Sequence, residues 1–273
     1  MIAGPALLFC PGDRPERYAK AAAAADTVII DLEDAVAPAD KARAREALVA
    51  AASAASLDPA TTIVRVNPAT TEEFARDLQA VRQTAFTTLM LAKAESAVQV
   101  DALASSDDAF RVIALCETAL GVTRSAEIAA HPAVIGMMWG AEDLIASMTG
   151  RTSRFPDGSY RDVARHARAT VLLHARAFGK VAIDAVHIDI ADTDGLRAEA
   201  EDAAASGFQA TACIHPTQVE VIRAAYAPTE EERAWAARVL DEATRQPGVF
   251  RFEGRMIDEP ILRQACELVR GRR

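Results

Sequence analysis

Acidic residues in this chain follow apolar runs that have the composition of buried strands. Glu117 comes after VIALC, and Asp143 ends the next such run, IGMMWGAED. A carboxylate at a buried strand end is costly unless something compensates it, and hard divalent cations prefer oxygen ligands. Neighbouring strands lie about 4.8 Å apart, so both carboxylates could bind one Mg²⁺. Alternatively, each acid only caps the helix that follows it.

A second acidic group ends the run VIIDLED. Because successive strand residues point to opposite faces, Asp31 and Glu33 share one face, whereas Asp34 takes the other or lies in the loop. We interpret Glu33 as lying near the metal and Asp34 as lying near a basic residue. Asp31 is interpreted as a structural acid that pairs with Arg or Lys.

Arg65 lies in IVRVNP, among residues that favour burial. Its planar fork suits bidentate binding of a carboxylate. The carboxylate could belong to a ligand, or it could belong to Glu33 or Asp34 of the protein. Arg65 could also bind a ligand and pair with a protein acid at the same time. Lys93 is the one candidate for Schiff-base chemistry, but pairing with a rim acid is favoured. His215, in IHP, could be a base, although a structural or backbone-contacting role is favoured.

The segment FCPGDRPERYAK begins the first predicted helix. Asp13 as N-cap and Pro15 near the first helical position explain it structurally. Arg14, Arg17 and Lys20 add positive charge near the helix start, which would also suit phosphates. The chain has neither a GxGxxG sequence nor a phosphate-loop signature, so neither a nicotinamide cofactor nor an ATPase is indicated.

Composition excludes several other classes. The net charge of −9 argues against a general nucleic-acid binder. No apolar run reaches the roughly 18 uncharged residues that span a bilayer, and the N-terminus has no positively charged leader. No cysteine belongs to a CxxC pair, which favours reduced thiols in a cytoplasmic protein; the cysteines are Cys10, Cys116, Cys213 and Cys266.

Strand and helix patterns alternate along the chain. Strands are predicted at residues 6–12, 27–34, 62–68, 87–94, 111–118, 134–143, 181–186 and 210–216. Helical periodicity covers residues 15–25, 41–52, 72–82, 121–130 and 160–178. Eight strands with intervening helices predict an α/β protein, a (β/α)8 barrel, because each parallel neighbour needs a crossover. A doubly wound sheet is the alternative.

The segments outside this repeat suggest a site and a lid. The polar loop 149–159 follows the sixth strand, at the rim where such enzymes act. After the eighth strand come helices at 219–226 and 230–244, a strand-like segment at 249–255, the tripeptide MID and a last helix. A barrel needs only one of these helices. We therefore predict a barrel at residues 1–228 and a C-terminal extension at 229–273 that acts as a lid, in this subunit or a neighbour.

These residues resemble, in the same order, the citrate lyase beta-subunit-like family among the HpcH/HpaI aldolases and lyases, which include malyl-CoA lyase and citramalyl-CoA lyase. The matching pieces are LLFCPGDRPERYAKA, VIIDLEDAVAPADK, IVRVNP, LAKAES, ALCETALGV, WGAEDL, CIHPTQ and GRMIDEP. They cover nearly the whole chain. The chain is also similar to stand-alone actinobacterial members, which lack the other citrate lyase subunits.

The resemblance implies a (β/α)8 barrel, usually a homotrimer or a dimer of trimers, that binds Mg²⁺ and a coenzyme A thioester. It implies Glu117 and Asp143 as metal ligands and Arg65 as the group that holds the keto-acid end of the substrate. Glu33 and Asp34 would support that site.

Further roles follow from the same resemblance. Gly140, Ala141 and Glu142 would bind the substrate, whose carboxylate would meet the main-chain amides of residues 141–143. Asp258 would be a catalytic acid on a C-terminal lid that reaches a neighbouring subunit. The segment with Arg14 and Lys20 would meet the CoA phosphates. The chain departs from the family where Ala210-Thr211 replaces a common GK and where Ala92 replaces the proline of LPK.

The implied activity is Mg²⁺-dependent carbon–carbon cleavage of a β-hydroxyacyl-CoA, such as citramalyl-CoA or malyl-CoA, to acetyl-CoA and an α-keto acid. One alternative is a class II aldolase that acts on free hydroxy-keto acids. Another is a non-catalytic protein that binds acyl-CoA or forms part of a citrate lyase complex. The intact set of acids together with Arg65 argues against the last one, because a binding module has no need for all of them.

Overall fold

The computed structural model describes residues 2–246 and 248–270. The chain divides into two compact units, Met1–Arg223 and Ala224–Arg273. Residues 247 and 271–273 of the predicted extension lie outside the described residues. No helix in the described part of the chain combines the length and apolar composition needed to cross a membrane.

The first unit is a closed barrel of eight parallel strands, in which each strand pairs with the next and β8 pairs with β1. The strands are β1 (Ala6–Pro11), β2 (Thr27–Asp31), β3 (Thr62–Val66), β4 (Thr88–Leu91), β5 (Arg111–Cys116), β6 (Val134–Trp139), β7 (Val181–Asp184) and β8 (Ala210–Cys213). The predicted barrel is confirmed. The doubly wound alternative is wrong, because β1 pairs with β8 and closes the sheet.

Helices connect the strands on the outside of the barrel. They are α1 (Tyr18–Ala24), α2 (Lys41–Ser53), α3 (Glu72–Val81), α4 (Ala97–Ala104), α5 (Ala119–Thr123), α6 (Ser125–Ala130), α7 (Ala141–Ser147), α8 (Asp162–Ala177), α9 (Thr193–Ser206) and α10 (Pro216–Tyr226). The helix predicted at 121–130 is two helices, which are divided at Arg124. There the Ser125 hydroxyl donates a hydrogen bond back to the Val122 carbonyl, and such back-bonding bends helices.

Apolar side chains fill the barrel interior. One buried cluster draws a residue from every strand of the barrel, including Leu7, Ile29, Ile63, Ile113 and Ile183. Because strand side chains alternate in direction, the residue two positions later on each strand faces the same interior. Those positions hold Phe9, Asp31, Arg65 and Leu115. The carboxyl end of the barrel is therefore where its interior becomes polar.

The strands that carry the acids are shorter than predicted. β2 ends at Asp31 and not at residue 34, because the Asp31 carboxylate accepts hydrogen bonds from the Glu33 and Ala35 amides at 2.8 and 3.0 Å. Such side-chain bonds to the following backbone turn the chain out of a strand. β6 ends at Trp139 and not at residue 143, so Asp143 lies in the first turn of α7.

The second unit contains α11 (Glu230–Arg245), β9 (Phe250–Phe252), β10 (Arg255–Ile257) and α12 (Glu259–Arg270). The strand-like segment predicted at 249–255 is instead a hairpin, in which β10 pairs antiparallel with β9. Its two-residue turn, Glu253-Gly254, has φ angles of 46° and 81°, as type I′ turns require. The unit has a core of its own that includes Val239, Phe250 and Ile257.

Candidate active site

A lysine ammonium lies among four carboxylates at the carboxyl end of the barrel. Lys93 Nζ lies 2.5 Å from Glu33 Oε1, 2.9 Å from Asp34 Oδ2, 3.3 Å from Asp143 Oδ1 and 4.0 Å from Glu117 Oε1. The four acids come from the loops after β2 and β5 and from the start of α7. The predicted pairing of Lys93 with rim acids is thus present in the structure. We call these four acids the mouth cluster.

The surroundings of Lys93 argue against a Schiff-base role. Burial alone would lower the pKa of its ammonium, but the surrounding carboxylates outweigh burial and raise the pKa above its ordinary value. A lysine must be deprotonated to attack a carbonyl group. Lys93 therefore acts in this site as a cation and not as a nucleophile.

Arg65 is held in place by two acids and an aromatic ring. Its Nε and Nη2 donate to the two oxygens of Asp31 at 2.7 and 2.6 Å. Its Nη1 lies 3.2 Å from Glu33 Oε2, and Cζ lies 4.9 Å from the centroid of the Phe9 ring. The geometry fits the structural role predicted for Asp31. Of the two predicted partners, Glu33 reaches Arg65, whereas Asp34 bonds to Lys93.

Glu117 is as deeply buried as Glu33, with a side chain only 4% exposed. Burial raises its pKa to about 8; Arg65 opposes the rise, and the nearby Asp143 carboxylate adds to it. The Lys93 amide donates a hydrogen bond to Glu117 Oε1 at 3.1 Å. The positive groups around Glu117 do not offset the effect of burial on its carboxylate. A further cation nearby would stabilise the charged form.

Gly140 makes room for Glu117. A Cβ atom on Gly140 would lie 2.9 Å from both Cβ and Oε2 of Glu117, closer than packed atoms approach. Sequence reasoning placed Gly140 among the substrate-binding residues and missed this steric role. The signal was present, because Gly140 follows Met138 on the interior face of β6 and opposes the acid that follows β5.

Asp143 is more open than Glu117, with a side chain 37% exposed. It shares the first turn of α7 with Ala141 and Glu142. Ser153, from the polar loop 149–159, donates a hydrogen bond to Glu142 Oε1 at 2.6 Å. The loop therefore attaches to the helix whose first residues were predicted to meet substrate. That contact with substrate stays a prediction.

The basic residues near α1 lie on the surface. Arg14 and Lys20 are both exposed, which suits contact with an anion in solution. The predicted N-cap role of Asp13 is wrong: a 3-10 turn at Pro15–Arg17 precedes α1, and neither start has a side-chain cap. Asp13 Oδ2 instead accepts a hydrogen bond from Arg43 Nη2 at 3.1 Å, because the loop turns its carboxylate toward α2. The predicted CoA contacts stay untested.

Two further candidates make only local contacts. His215 Nδ1 lies 2.8 Å from Thr217 Oγ1 and accepts from the Thr217 amide at 3.3 Å, which fits the backbone-contacting role. Asp258 belongs to the second unit, where Oδ1 accepts from the Ile261 amide at 3.4 Å at the start of α12. Its proposed catalytic role stays a prediction.

Sequence reasoning missed a second acidic network, on the outer side of β7. The Trp139 indole donates to Asp184 Oδ1 at 2.6 Å, and Arg168 Nη2 donates to Asp184 Oδ2 at 2.8 Å. Glu199 accepts from Arg154 Nη2 at 3.2 Å and lies 2.9 Å from His187 Nδ1. Strand alternation was the available signal, since Ile183 faces the interior and Asp184 must face outward.

The mouth cluster fits a divalent cation. A cation, the Lys93 ammonium, already lies among its carboxylates, and those carboxylates are hard oxygen donors of the kind that Mg²⁺ binds. No group of three or more His, Cys, Asp or Glu side chains within the described residues forms a ready metal cage. Mg²⁺ does not need one, because it commonly takes one or two protein carboxylates and completes its shell with water and substrate.

A closed parallel barrel with its polar residues at the carboxyl ends of the strands is the arrangement of a (β/α)8-barrel enzyme. The HpcH/HpaI aldolase/citrate lyase family matches residues 6–216. This chain therefore belongs to that family, a family of lyases.

Individual relatives support the same assignment. The chain is 58% identical to a citrate lyase subunit beta-like protein of Mycobacterium tuberculosis, over 98% of this chain and 95% of the relative. It is 36% identical to a (3S)-malyl-CoA thioesterase of Cereibacter sphaeroides, over 92% and 88%. A crystal structure of protein CitE from Mycobacterium tuberculosis in complex with magnesium, acetoacetate and coenzyme A superposes with a TM-score of 0.93 at 57% identity, covering 98% and 97% of the chains.

Proposed function

We propose that this protein is a Mg²⁺-dependent carbon–carbon lyase that cleaves a β-hydroxyacyl-CoA, such as citramalyl-CoA or malyl-CoA, to acetyl-CoA and an α-keto acid. The observation that carries the proposal is the mouth cluster, an excess of carboxylates beside Arg65 at the carboxyl end of the barrel. The magnesium, keto acid and coenzyme A bound to the CitE structure support both the metal and the substrate class.

Glu117 and Asp143 are the residues that would hold the metal. Of the four acids of the mouth cluster they lie farthest from the Lys93 ammonium, at 4.0 and 3.3 Å. When bound, Mg²⁺ would polarise the substrate oxygen that becomes the keto group. Glu33 and Asp34 would remain paired with Lys93 and support the site from the other side.

Arg65 would orient the keto-acid end of the substrate. Asp31 occupies the Nε/Nη2 edge of its guanidinium, and Glu33 Oε2 lies 3.2 Å from Nη1, so a substrate carboxylate would meet the Nη1/Nη2 edge beside Glu33. Two parallel N–H···O bonds there would fix the carboxylate in one plane. The main-chain amides at Ala141 and Glu142, next to Gly140, would face the same group.

Asp258 would supply the proton transfer on the acyl-CoA carbon. In the condensing direction its carboxylate removes a proton from the methyl group of acetyl-CoA, and in the cleavage direction it returns one. We propose that the extension carrying Asp258 closes over the site of a neighbouring subunit in a homotrimer. Arg14 and Lys20 would bind the CoA phosphates from the start of the first βα unit, and a cytoplasmic location supplies both CoA thioesters and Mg²⁺.

The test is a turnover assay on thioesters of known configuration. Purified protein with Mg²⁺ is mixed with citramalyl-CoA or malyl-CoA, and pyruvate or glyoxylate is measured together with acetyl-CoA. Both products should appear in equal amounts, and a chelator should abolish them. Absence of any keto acid across a panel of hydroxyacyl-CoA thioesters, from protein that binds Mg²⁺, would contradict the proposal.

Thioester hydrolysis is a second candidate, favoured by the similarity to the (3S)-malyl-CoA thioesterase. Hydrolysis of malyl-CoA releases free CoA thiol and malate, whereas cleavage keeps the thioester in acetyl-CoA. A thiol reagent in the same assay therefore separates the two reactions. Keto-acid release from free hydroxy-keto acids, without CoA, would instead indicate the class II aldolase, and no turnover of any substrate would indicate a binding protein or a complex subunit.

A further inference from the structure

Lys93 has an unusual backbone conformation for a lysine. Its φ angle is 49°, in the left-handed region that residues with a Cβ atom rarely adopt. Such strain persists only where surrounding contacts fix it, and it concentrates at functional sites. Here the conformation aims both the amide and the side chain of Lys93 at acids, since the amide donates to Glu117 Oε1 at 3.1 Å.

The four acids around the ammonium fall into two pairs. Glu33 and Asp34 are in hydrogen-bond contact with Nζ, at 2.5 and 2.9 Å. Asp143 and Glu117 lie farther away, at 3.3 and 4.0 Å. The ammonium can therefore keep its bonds to the first pair while it gives up its attraction to the second.

The second pair is where the proposed function places the metal. A dication and an ammonium that share the same carboxylates repel each other, and charges within a few Å interact appreciably at the effective dielectric constant of a protein surface. Lys93 is only 27% exposed, so water screens that repulsion incompletely. Binding of the metal must therefore work against the charge of Lys93.

We propose that Lys93 is the protein's own cation for the mouth cluster and competes with the divalent metal for Glu117 and Asp143, so that Lys93 sets the metal affinity. The inference rests on the proposed function for the identity of the metal ligands. Without metal, the ammonium holds the four acids together. With metal, it stays on Glu33 and Asp34, and its charge weakens metal binding to a level at which the ion can exchange.

The test compares Mg²⁺ binding by calorimetry in the parent and in Lys93→Met. All proteins are measured at one pH and one ionic strength, so that the comparison reports the charge at residue 93. Loss of the ammonium should tighten Mg²⁺ binding by about tenfold or more and should lower the melting temperature of the metal-free protein. Lys93→Gln, which is neutral but polar, should behave in the same way and serves if the methionine variant fails to fold.

Two control variants isolate the charge. Lys93→Arg keeps the charge and should bind Mg²⁺ with an affinity closer to that of the parent than to that of Lys93→Met. Lys180→Met removes a lysine whose ammonium donates to the His131 and Val134 carbonyls away from the cluster. It should lower the melting temperature without changing the affinity for Mg²⁺.

The outcomes separate this inference from the proposed function. Equal or weaker Mg²⁺ binding by both neutral Lys93 variants, with normal binding by the parent, would overturn the competition and leave the metal site intact. No binding by the parent and tight binding by the variants would support the competition in an extreme form. No binding by any of the proteins would overturn the metal assignment, and with it the inference.

Discussion

Two acidic regions of the barrel unit differ in how their charge is balanced. In the outer network near β7, Asp184 accepts from Arg168 and Glu199 accepts from Arg154, so each acid meets a guanidinium. In the mouth cluster, four carboxylates share the single Lys93 ammonium, and Arg65 is committed mainly to Asp31. The first region is close to neutral, whereas the second carries excess negative charge.

The difference shows which acids are structural and which are free to bind a ligand. Burial raises the pKa of Glu117 to about 8, whereas Glu199, beside His187 and Arg154, has a lowered pKa despite its burial. A buried charge without compensation destabilises the fold, and such groups concentrate where a ligand supplies the missing charge. The imbalance, and not the number of acids, marks the candidate active site.

The largest effect should come from Glu117→Gln. It keeps size and removes charge, so Mg²⁺ affinity and turnover should both fall by more than about 100-fold, beyond the range of groups that only support a ligand. Because burial raises its folded pKa to about 8, Glu117 lowers stability progressively as the pH rises from 4.5 through 8. The metal-free variant should therefore melt no lower than the parent at about pH 8.

Glu199→Gln is the matched control in the outer network. It should lower the melting temperature and leave Mg²⁺ affinity unchanged, because Glu199 pairs with Arg154 and His187 and lies outside the mouth cluster. Calorimetry measures the Mg²⁺ affinity of both variants, and thermal melts measure their stability. Similar behaviour of the two variants would remove the distinction between the regions.

Asp258→Asn should reduce the rate by roughly 10²–10⁴-fold, the range for loss of a general base, while Mg²⁺ binding persists. Asn caps helices about as well as Asp, so the contact with the Ile261 amide at the start of α12 should survive and stability should change by less than about 0.5 kcal/mol. Steady-state kinetics and a denaturant titration measure the two effects.

A mixing experiment tests whether the lid crosses between subunits. Inactive Asp258→Asn and inactive Glu117→Gln subunits, allowed to exchange, should form some sites with intact halves and recover part of the activity. Proven exchange without recovery would end the cross-subunit proposal and leave the catalytic role of Asp258 standing.

Arg65→Lys should cost about 2–4 kcal/mol in kcat/KM, the scale of a broken buried charge-assisted contact. Lysine keeps the charge but cannot bond Asp31 through two nitrogens and meet a substrate carboxylate at the same time. Arg168→Lys, in the outer network, should lower stability and leave kcat/KM unchanged. Near-normal kinetics for Arg65→Lys would assign Arg65 to structure alone.

The smallest effect concerns the pH dependence of stability. The hydrogen bond to Glu199 raises the pKa of His187 above its ordinary value of 6.5. The resulting stability is therefore fully present below pH 6.5 and is lost as the pH rises through the raised value. His187→Gln should therefore cost more free energy of unfolding, measured with urea, at acidic than at alkaline pH. An equal cost at both extremes would show that His187 does not titrate against Glu199.

The sequence predicted most of the elements because their signals are local. All eight strands lie within the predicted ranges, since buried parallel strands are continuous apolar runs. The predicted strand ends were wrong where a side chain binds the following backbone amides and ends the strand, as Asp31 does after β2. The hairpin at Glu253-Gly254 was read as one strand, although a residue pair with positive φ angles is a recognisable turn signal.

The amino-acid sequence by itself determined the alternation of strands and helices, the acids at the strand ends and the arginine within β3. Only the tertiary structure decided which carboxylate meets which cation. Asp31 and not Asp34 holds Arg65, and Lys93 neutralises acids up to 60 positions away in sequence. The reason is physical: periodicity depends on neighbours within a few residues, whereas an ion pair depends on barrel closure and strand register, which bring distant loops to one end.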